Sequence, residues 1–405
     1  MKARYQYRIY PTDQQRKGLA RVFGCVRVVW NDALALCEKS VTAGHVKLPS
    51  NGELQKICIT QAKKNKQRQW LSEVSNIPLQ QSIADLGVAF KNFFESLKGK
   101  RKGVKIKPPK FKKKDNHQTA RFRKGGFSIK QGKVYLAKIG HLKTVWSRPL
   151  PSEPSSVTVI KDRAGRYFLS FVVEIQPEIK PAKNESVGID LGLKTFAVLS
   201  SGQKVDSPDY LRLERQIRRA QRKLSRCQKG SNRRGIMRLR VARLKAKQVD
   251  TRKDFLHKLS TKVVHENQVI ALEDLNVSGM LKNRCLSRAI SQAGWRDFRT
   301  MCEAKSNKFG RTFVVINRWE PTSQTCSDCG YQWGKLDLSV REVVCINCGT
   351  HHDRDSNAAK NIEHVGVGHI HDVKRTGRKC KTPSGAVSVE LSTHLKDEQL
   401  KLFAC

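Results

Sequence analysis

Apolar residues alternate along residues 3–9, with Tyr5, Tyr7 and Ile9 on one side, and this period of two predicts a strand. Pro11-Thr12-Asp13 then has the composition of a helix start. Leu19, Phe23, Val26, Trp30 and Ala33 follow at helical spacing, with a break expected at Gly24. Leu79, Ile83, Leu86, Phe90, Phe93 and Leu97 mark one face of a second helix. Such stripes pack cores, so residues 11–98 read as mostly helical. Residues 119–175 read as β, with short strands at Phe127-Ser128-Ile129, Val134-Tyr135-Leu136 and Val157–Ile160. Asp162-Arg163-Ala164-Gly165 is a hairpin turn into a longer strand from Tyr167 to Ile175. The strand at 3–9 is expected to join this β unit, which makes the helical segment an insertion.

Residues 186–205 read as strand, strand, a turn at Ser201-Gly202, and strand. A basic helical hairpin is expected over 208–260, broken at Gly230-Ser231-Asn232. Ile217, Ala220 and Leu224 form one stripe; Met237, Val241 and Leu244 form another. Val269-Ile270-Ala271-Leu272 is a buried strand ending at Glu273, Trp295-Arg296-Asp297-Phe298 opens a helix, and Thr312–Ile316 is a further strand. Periodicity fades after about residue 366, so 367–405 is expected to be a flexible basic tail.

Charge narrows the function. The 405 residues carry a formal net charge of +44, too large for an ordinary enzyme of small molecules. Nucleic acid is the expected partner, because Lys and Arg release counterions condensed on phosphates. A basic ribosomal or membrane-surface protein is the bland alternative. The run from Lys98 to Lys114, interrupted by Pro108-Pro109, fits a solvated linker or a phosphate contact. No apolar run approaches the ~20 residues that span a bilayer, and Met1–Tyr5 lacks a signal core. An intracellular protein with no membrane partner is expected. Eight of the twelve cysteines are scattered singly, as reduced thiols are.

The other four have ligand spacing. Cys326-x2-Cys329 and Cys345-x2-Cys348 are fifteen residues apart, within the usual window for a four-cysteine zinc site. Gly330 and Gly349 follow the second cysteine of each pair and permit the tight turn of a knuckle. Four thiolates close the shell of Zn2+, so the metal is structural. His351 and His352 lie nearby but are not needed as ligands.

Three acids sit at predicted strand or helix ends. Asp190 lies in Gly188-Ile189-Asp190-Leu191-Gly192, whose small neighbours expose the carboxylate to an approaching phosphate backbone. This motif alone is weak, since actin-like ATPases open similarly and a plain strand-end turn also fits it. Glu273 ends an apolar strand, with Asp274 an equal candidate. Asp355 begins a helix whose Ala358 and Ala359 suit close packing on a sheet. Singly, each acid reads as a surface or capping carboxylate. Together they have the composition of a site for two hard cations such as Mg2+, set ~4 Å apart, which hydrolyse phosphodiesters.

At these residues the chain closely resembles the TnpB (OrfB) family of transposon-encoded, RNA-guided nucleases, related to type V CRISPR effectors. The resemblance covers nearly the whole chain. It rests on Tyr7-x-Ile9-Tyr10-Pro11-Thr12, Gly188–Gly192, Arg252-x-Asp254-x-x-His257-Lys258, Leu272-Glu273-Asp274-Leu275-Asn276, the four cysteines, and the segment from Asp353 to Ile362. It implies an α/β protein with added β and α parts. An RNase H-like (RuvC) nuclease domain would span 184–320 and 352–366, interrupted by a zinc finger at 321–351. A wedge β-barrel domain would span 1–10 and 115–183, with a helical recognition domain at 11–114. By motif, Asp190, Glu273 and Asp355 are the catalytic acids and Mg2+ ligands; Asp353 is disfavoured because the family's acid lies two residues before an asparagine. The implied partners are a guide RNA from the transposon end and target double-stranded DNA. Cleavage would occur beside a short flanking motif, by a monomer in a prokaryotic cytoplasm at the nucleoid. Delegating sequence recognition to base pairing suits a chain with high charge and only 7% aromatics. The competing readings are a nuclease-silent RNA-guided repressor, a transposase or accessory DNA-binding protein of an insertion sequence, and a small CRISPR effector.

Overall fold

The computed structural model describes residues 1–42, 48–101, 103–337 and 339–376, with side chains as far as residue 368. Among the described residues the chain divides into two compact units: Met1–Ile175 with Lys229–Arg243, and Gln176–Gln228 with the residues from Leu244 to Thr376.

In the first unit the alternating N-terminal residues form β1 (Lys2–Ile9). They are followed by α1 (Asp13–Thr42), one unbroken 30-residue helix. The break expected at Gly24 does not occur. Phe23, Cys25 and Val26 around it are buried, and that packing outweighs the roughly 1 kcal/mol a glycine costs a helix. A capping box between Ser50 and Glu53 starts α2 (Asn51–Gln55), and irregular helical turns lead to α3 (Asn76–Leu97).

The β region follows as β2 (Gln118–Arg123), β3 (Phe127–Lys130), β4 (Lys133–Leu136), β5 (Gly140–Leu142), β6 (Thr144–Val145), β7 (Ser156–Lys161) and β8 (Tyr167–Glu174), of which β3, β4, β7 and β8 are the strands the sequence marks and β2, β5 and β6 are additional. They form a five-stranded sheet, β2-β7-β8-β1-β6, and a three-stranded sheet, β3-β4-β5. β7 and β8 are the expected hairpin, with Gly165 at φ +78° in its turn. β1 pairs with β8 along its length, so the N-terminus does join this β unit. Helices and strands share one core: Leu19, Phe23, Ile83 and Leu86 pack with Tyr7, Phe122 and Phe171. The basic run after α3 has no regular structure but is pinned to α1. Trp30 Nε1 donates to the Lys110 carbonyl at 3.1 Å, and Asn31 pairs twice with the Lys112 backbone. Lys102 in this run lies outside the described residues.

The second unit is built on β9 (Asn184–Asp190), β10 (Ala197–Leu199) and β11 (Lys204–Val205). The basic hairpin is α4 (Leu211–Ser225) and α5 (Asn232–Glu266), separated at Gly230 as the sequence suggests; α5 is counted with the first unit as far as Arg243 and with the second from Leu244. Then come β12 (Asn267–Glu273), the short helices α6 (Val277–Met280) and α7 (Ser287–Ala293), α8 (Trp295–Phe309) and β13 (Thr312–Ile316). A two-stranded ribbon, β14 (Glu342–Val344) and β15 (His351–Asp353), runs directly into α9 (Arg354–Thr376). The helix therefore continues ten residues beyond the point where a tail was expected; residues 377–405 lie outside the described residues.

The main sheet has the order β11-β10-β9-β12-β13, with β9, β12 and β13 parallel. Parallel strands are covered on both faces, which is why Val269–Leu272 reads as a continuous apolar run. Val187, Ile189, Ile270 and Leu272 pack with Leu256 and Val263 of α5 and Phe298 of α8. On the opposite face the small Gly188 and Ala271 let α9 lie close. A Cβ on Gly188 would stand 2.1 Å from the Ala359 carbonyl oxygen, and one on Gly366 would stand 2.5 Å from the Ala271 Cβ. Gly188 is thus required by a helix backbone, where the sequence suggested an approaching phosphate.

Candidate active site

β9 and β12 are adjacent and parallel, in register as Ile189 opposite Leu272, so Asp190 and Glu273 end neighbouring strands. From β9 the chain turns outward to β10 on one side, while β12 and β13 lie on the other. Open α/β sheets bind ligands at such a switch point, outside the carboxyl ends of the strands. Asp355, in the first turn of α9, supplies a third carboxylate.

The electrostatics tie these acids together. Burial, then the charge of Asp355, pushes the Asp190 carboxyl up to about 6, against the Leu191 backbone N–H, Arg354 and Arg341. Burial, then Asp190 and Asp274, pushes Glu273 up to about 7. Asp190 therefore feels Asp355, and Glu273 feels Asp190, across three segments distant in sequence. Carboxylates that raise one another's proton affinity are relieved by a cation. The donor set of carboxylate oxygens suits a hard divalent ion such as Mg2+.

The alternative acids are engaged elsewhere. Arg299 donates to Asp274 at 2.6 Å and Arg318 pairs with its other oxygen. Burial works upward on Asp274, but these guanidinium groups outweigh it and hold the carboxyl below its usual range. Asp353 caps α9 by accepting the Ser356 N–H at 2.9 Å, and it takes the Lys204 ammonium at 2.8 Å. Asp355 pairs with Arg341 Nη1, at 3.2 and 3.3 Å from its two oxygens.

The four cysteines come together as the spacing predicts, their sulfur atoms all within 4.8 Å of one another. Cys326 and Cys348 Sγ are 3.8 Å apart, and Cys329 and Cys345 Sγ 3.5 Å. Sulfurs at the corners of a zinc tetrahedron with ~2.3 Å bonds stand about 3.8 Å apart, so the quartet fits the ion. Gly330 and Gly349 take φ +76° and +71°, and their N–H groups donate back to Cys326 and Cys345 at 3.0 and 2.8 Å.

Several residues here are not found by sequence reasoning. His352, set aside as unnecessary, is buried with Nε2 3.1 Å from Cys326 Sγ. Asn357 and Asn361 are buried and bond the backbone of the first knuckle. Two asparagines one turn apart beside the small Ala358 and Ala359 were the available signal. Lys204 and Arg341 carried none, since basic residues are everywhere in this chain.

Three family models match. The OrfB model, described as a probable transposase, matches residues 170–284; a Cas12f1-like TNB domain matches 295–362; and a helix-turn-helix domain matches 1–45. The described part of that last region holds β1 and the single helix α1. A protein of Streptomyces pristinaespiralis named "Putative RNA-guided DNA endonuclease" is 44% identical over 91% of this chain and 90% of its own. InsQ of Escherichia coli, of the same description, is 29% identical over 90% of this chain and 92% of its own. Among solved structures, that of the Cas12f1–sgRNA–target DNA complex covers 89% of this chain and 98% of its own, with TM-score 0.55 at 13% identity, a likeness of fold.

Proposed function

We propose, from the premise that this chain belongs to the TnpB (OrfB) family of transposon-encoded, RNA-guided nucleases, that it is an RNA-guided DNA endonuclease whose RuvC-like site contains Asp190, Glu273 and Asp355. The observation that supports the site is the parallel register that ends β9 and β12 at Asp190 and Glu273, with Asp355 close enough to raise the Asp190 carboxyl. The second unit is read as the RNase H-like nuclease domain with its zinc finger. The first is read as the wedge β-barrel and helical recognition parts. The protein acts as a monomer on double-stranded DNA next to a short flanking motif.

Hydrolysis adds water across one phosphodiester P–O bond, leaving a phosphate on one product end and a hydroxyl on the other. Two Mg2+ ions, when bound, supply an activated water and charge for the leaving oxygen. The chain's own residues prepare for this. Asp190 and Glu273 end neighbouring strands and Asp355 opens α9 within electrostatic reach of Asp190; these three carboxylates would hold the ions. Lys204 and Arg341 offset the remaining negative charge. Asp353 and Asp274 hold α9 and the end of β12 in place. The net charge of +44 serves backbone contacts to a guide RNA and its DNA, while pairing reads the sequence.

The test is to express the protein with its native flanking DNA and sequence the RNA that co-purifies. A discrete RNA spanning the 3′ end of the gene, which then directs Mg2+-dependent cleavage of a matching DNA, is expected. Random cellular RNA and no guided cleavage would overturn the reading in favour of a direct DNA-binding or transposase role.

A further inference from the structure

The first cysteine knuckle and the helix carrying Asp355 are joined by side chains that hydrolysis itself does not use. Asn357 is 1% exposed; its Oδ1 accepts the Ser327 N–H at 2.8 Å and its Nδ2 donates to the Thr325 carbonyl at 2.7 Å. Asn361, one turn on, donates from Nδ2 to the Thr322 and Thr325 carbonyls at 2.8 and 2.6 Å. Thr325 and Ser327 are the two neighbours of Cys326. Just ahead of the helix, His352 Nε2 lies 3.1 Å from the Cys326 sulfur. The peptide around one zinc ligand is therefore held by α9 on both sides.

We propose that Asn357 and Asn361 are positioning residues that transmit the metal-held geometry of the finger to Asp355, an inference that rests on the reading of Asp355 as a catalytic ligand. Buried amides must be paired, and here their partners are the knuckle's own backbone groups. Asn357 uses both a donor and an acceptor, so it fixes the rotation of the helix as well as its distance. Two residues along a helix turn by about 200°, so the turn that presents Asn357 to the finger presents Asp355 away from it. Burial of Ala358 and Ala359 and the approach of Ala359 to Gly188 seat that turn on the sheet. Zinc bound by all four sulfurs immobilises the knuckle, and the two asparagines carry that constraint into the first turn of α9. The finger is then a strut for the carboxylate site, whatever nucleic acid it also touches.

The test uses the full chain bound to its guide RNA, as wild type, as Asn357→Ala/Asn361→Ala, and as wild type stripped of zinc. Amide hydrogen exchange in residues 355–358 is expected to quicken about tenfold in both altered forms, with β12 unchanged. The double variant should retain zinc and target affinity, yet need about tenfold more Mn2+ to occupy the acid site, read directly by electron paramagnetic resonance, and show a matching loss in cleavage rate at saturating DNA. Asn357→Asp, which keeps the acceptor for Ser327, should fall between. Unchanged exchange at 355–358 in a zinc-retaining double variant would overturn the proposal. If that variant does not fold, unchanged exchange there in the zinc-stripped wild type would do so. Exchange that quickens while wild-type Mn2+ binding does not depend on Asp190 would overturn the metal-site reading instead and leave the strut without a carboxylate to place.

Discussion

Asp190 and Glu273 stand side by side at the carboxyl ends of two parallel strands, and the negative charge of Asp190 raises the proton affinity of Glu273. Asp190 titrates at about 6 and Glu273 at about 7, each above the ~4 of an unfolded carboxyl.

In the protein freed of Mg2+ but keeping zinc, this pair therefore binds more protons folded than unfolded between about pH 4 and pH 7, and its contribution is the difference between wild type and the variant that lacks both carboxyls. Wild-type stability relative to that variant should fall as pH rises through that window and level off above it. Added Mg2+ should restore stability at pH 7.5. Thermal unfolding across pH, with Asp190→Asn/Glu273→Gln as the reference, checks the sign. A wild-type curve parallel to that of the variant would contradict the coupling.

Neighbouring acids should separate by role. Asp190→Ala is expected to abolish cleavage while leaving RNA binding nearly intact. Asp274→Ala should instead lose stability, by about 1–2 kcal/mol, because Arg299 and Arg318 lose a shared partner. Asp353→Ala should cost about 1 kcal/mol as a lost helix cap and keep cleavage within about tenfold. Wild-type cutting by Asp190→Ala, or complete loss in Asp353→Ala with its fold intact, would reverse the assignment.

Cys326→Ser/Cys329→Ser should lose zinc and impair folding or cleavage, since it removes two of the four clustered sulfurs that could hold the ion. Elemental analysis of the purified protein reads this directly. A full equivalent of zinc in the double variant would place the metal elsewhere.

Two glycines should respond to alanine with opposite signs. At Gly188 a methyl group would overlap the backbone of α9, so Gly188→Ala should destabilise by about 3 kcal/mol or more and disturb the acid site. At Gly24 nothing lies within 4 Å of the added carbon, and α1 is regular there, so Gly24→Ala should stabilise by about 0.5–1 kcal/mol. Paired denaturant titrations decide both.

What the sequence by itself determined was local or chemically redundant. Alternation set β1, the Asp162–Gly165 turn set the β7–β8 hairpin, and Gly230 separated α4 from α5, because each signal lies within a few residues of what it specifies. The cysteine quartet was legible because ligand spacing constrains metal geometry directly. Gly24 misled for the opposite reason: its local cost is small beside the core that α1 buries, and only tertiary packing sets that balance. The end of α9 escaped because its hydrophobic signal fades before its hydrogen bonding does. Tertiary structure alone decided which acids face one another. Spacing could not separate Glu273 from Asp274, or show that Asp353 is a cap, because adjacent residues differ only in direction, and direction depends on strand register and helix rotation. The same holds for Asn357 and Asn361. Their partners are backbone groups some thirty residues away in sequence, and no composition or periodicity records a hydrogen bond across that separation.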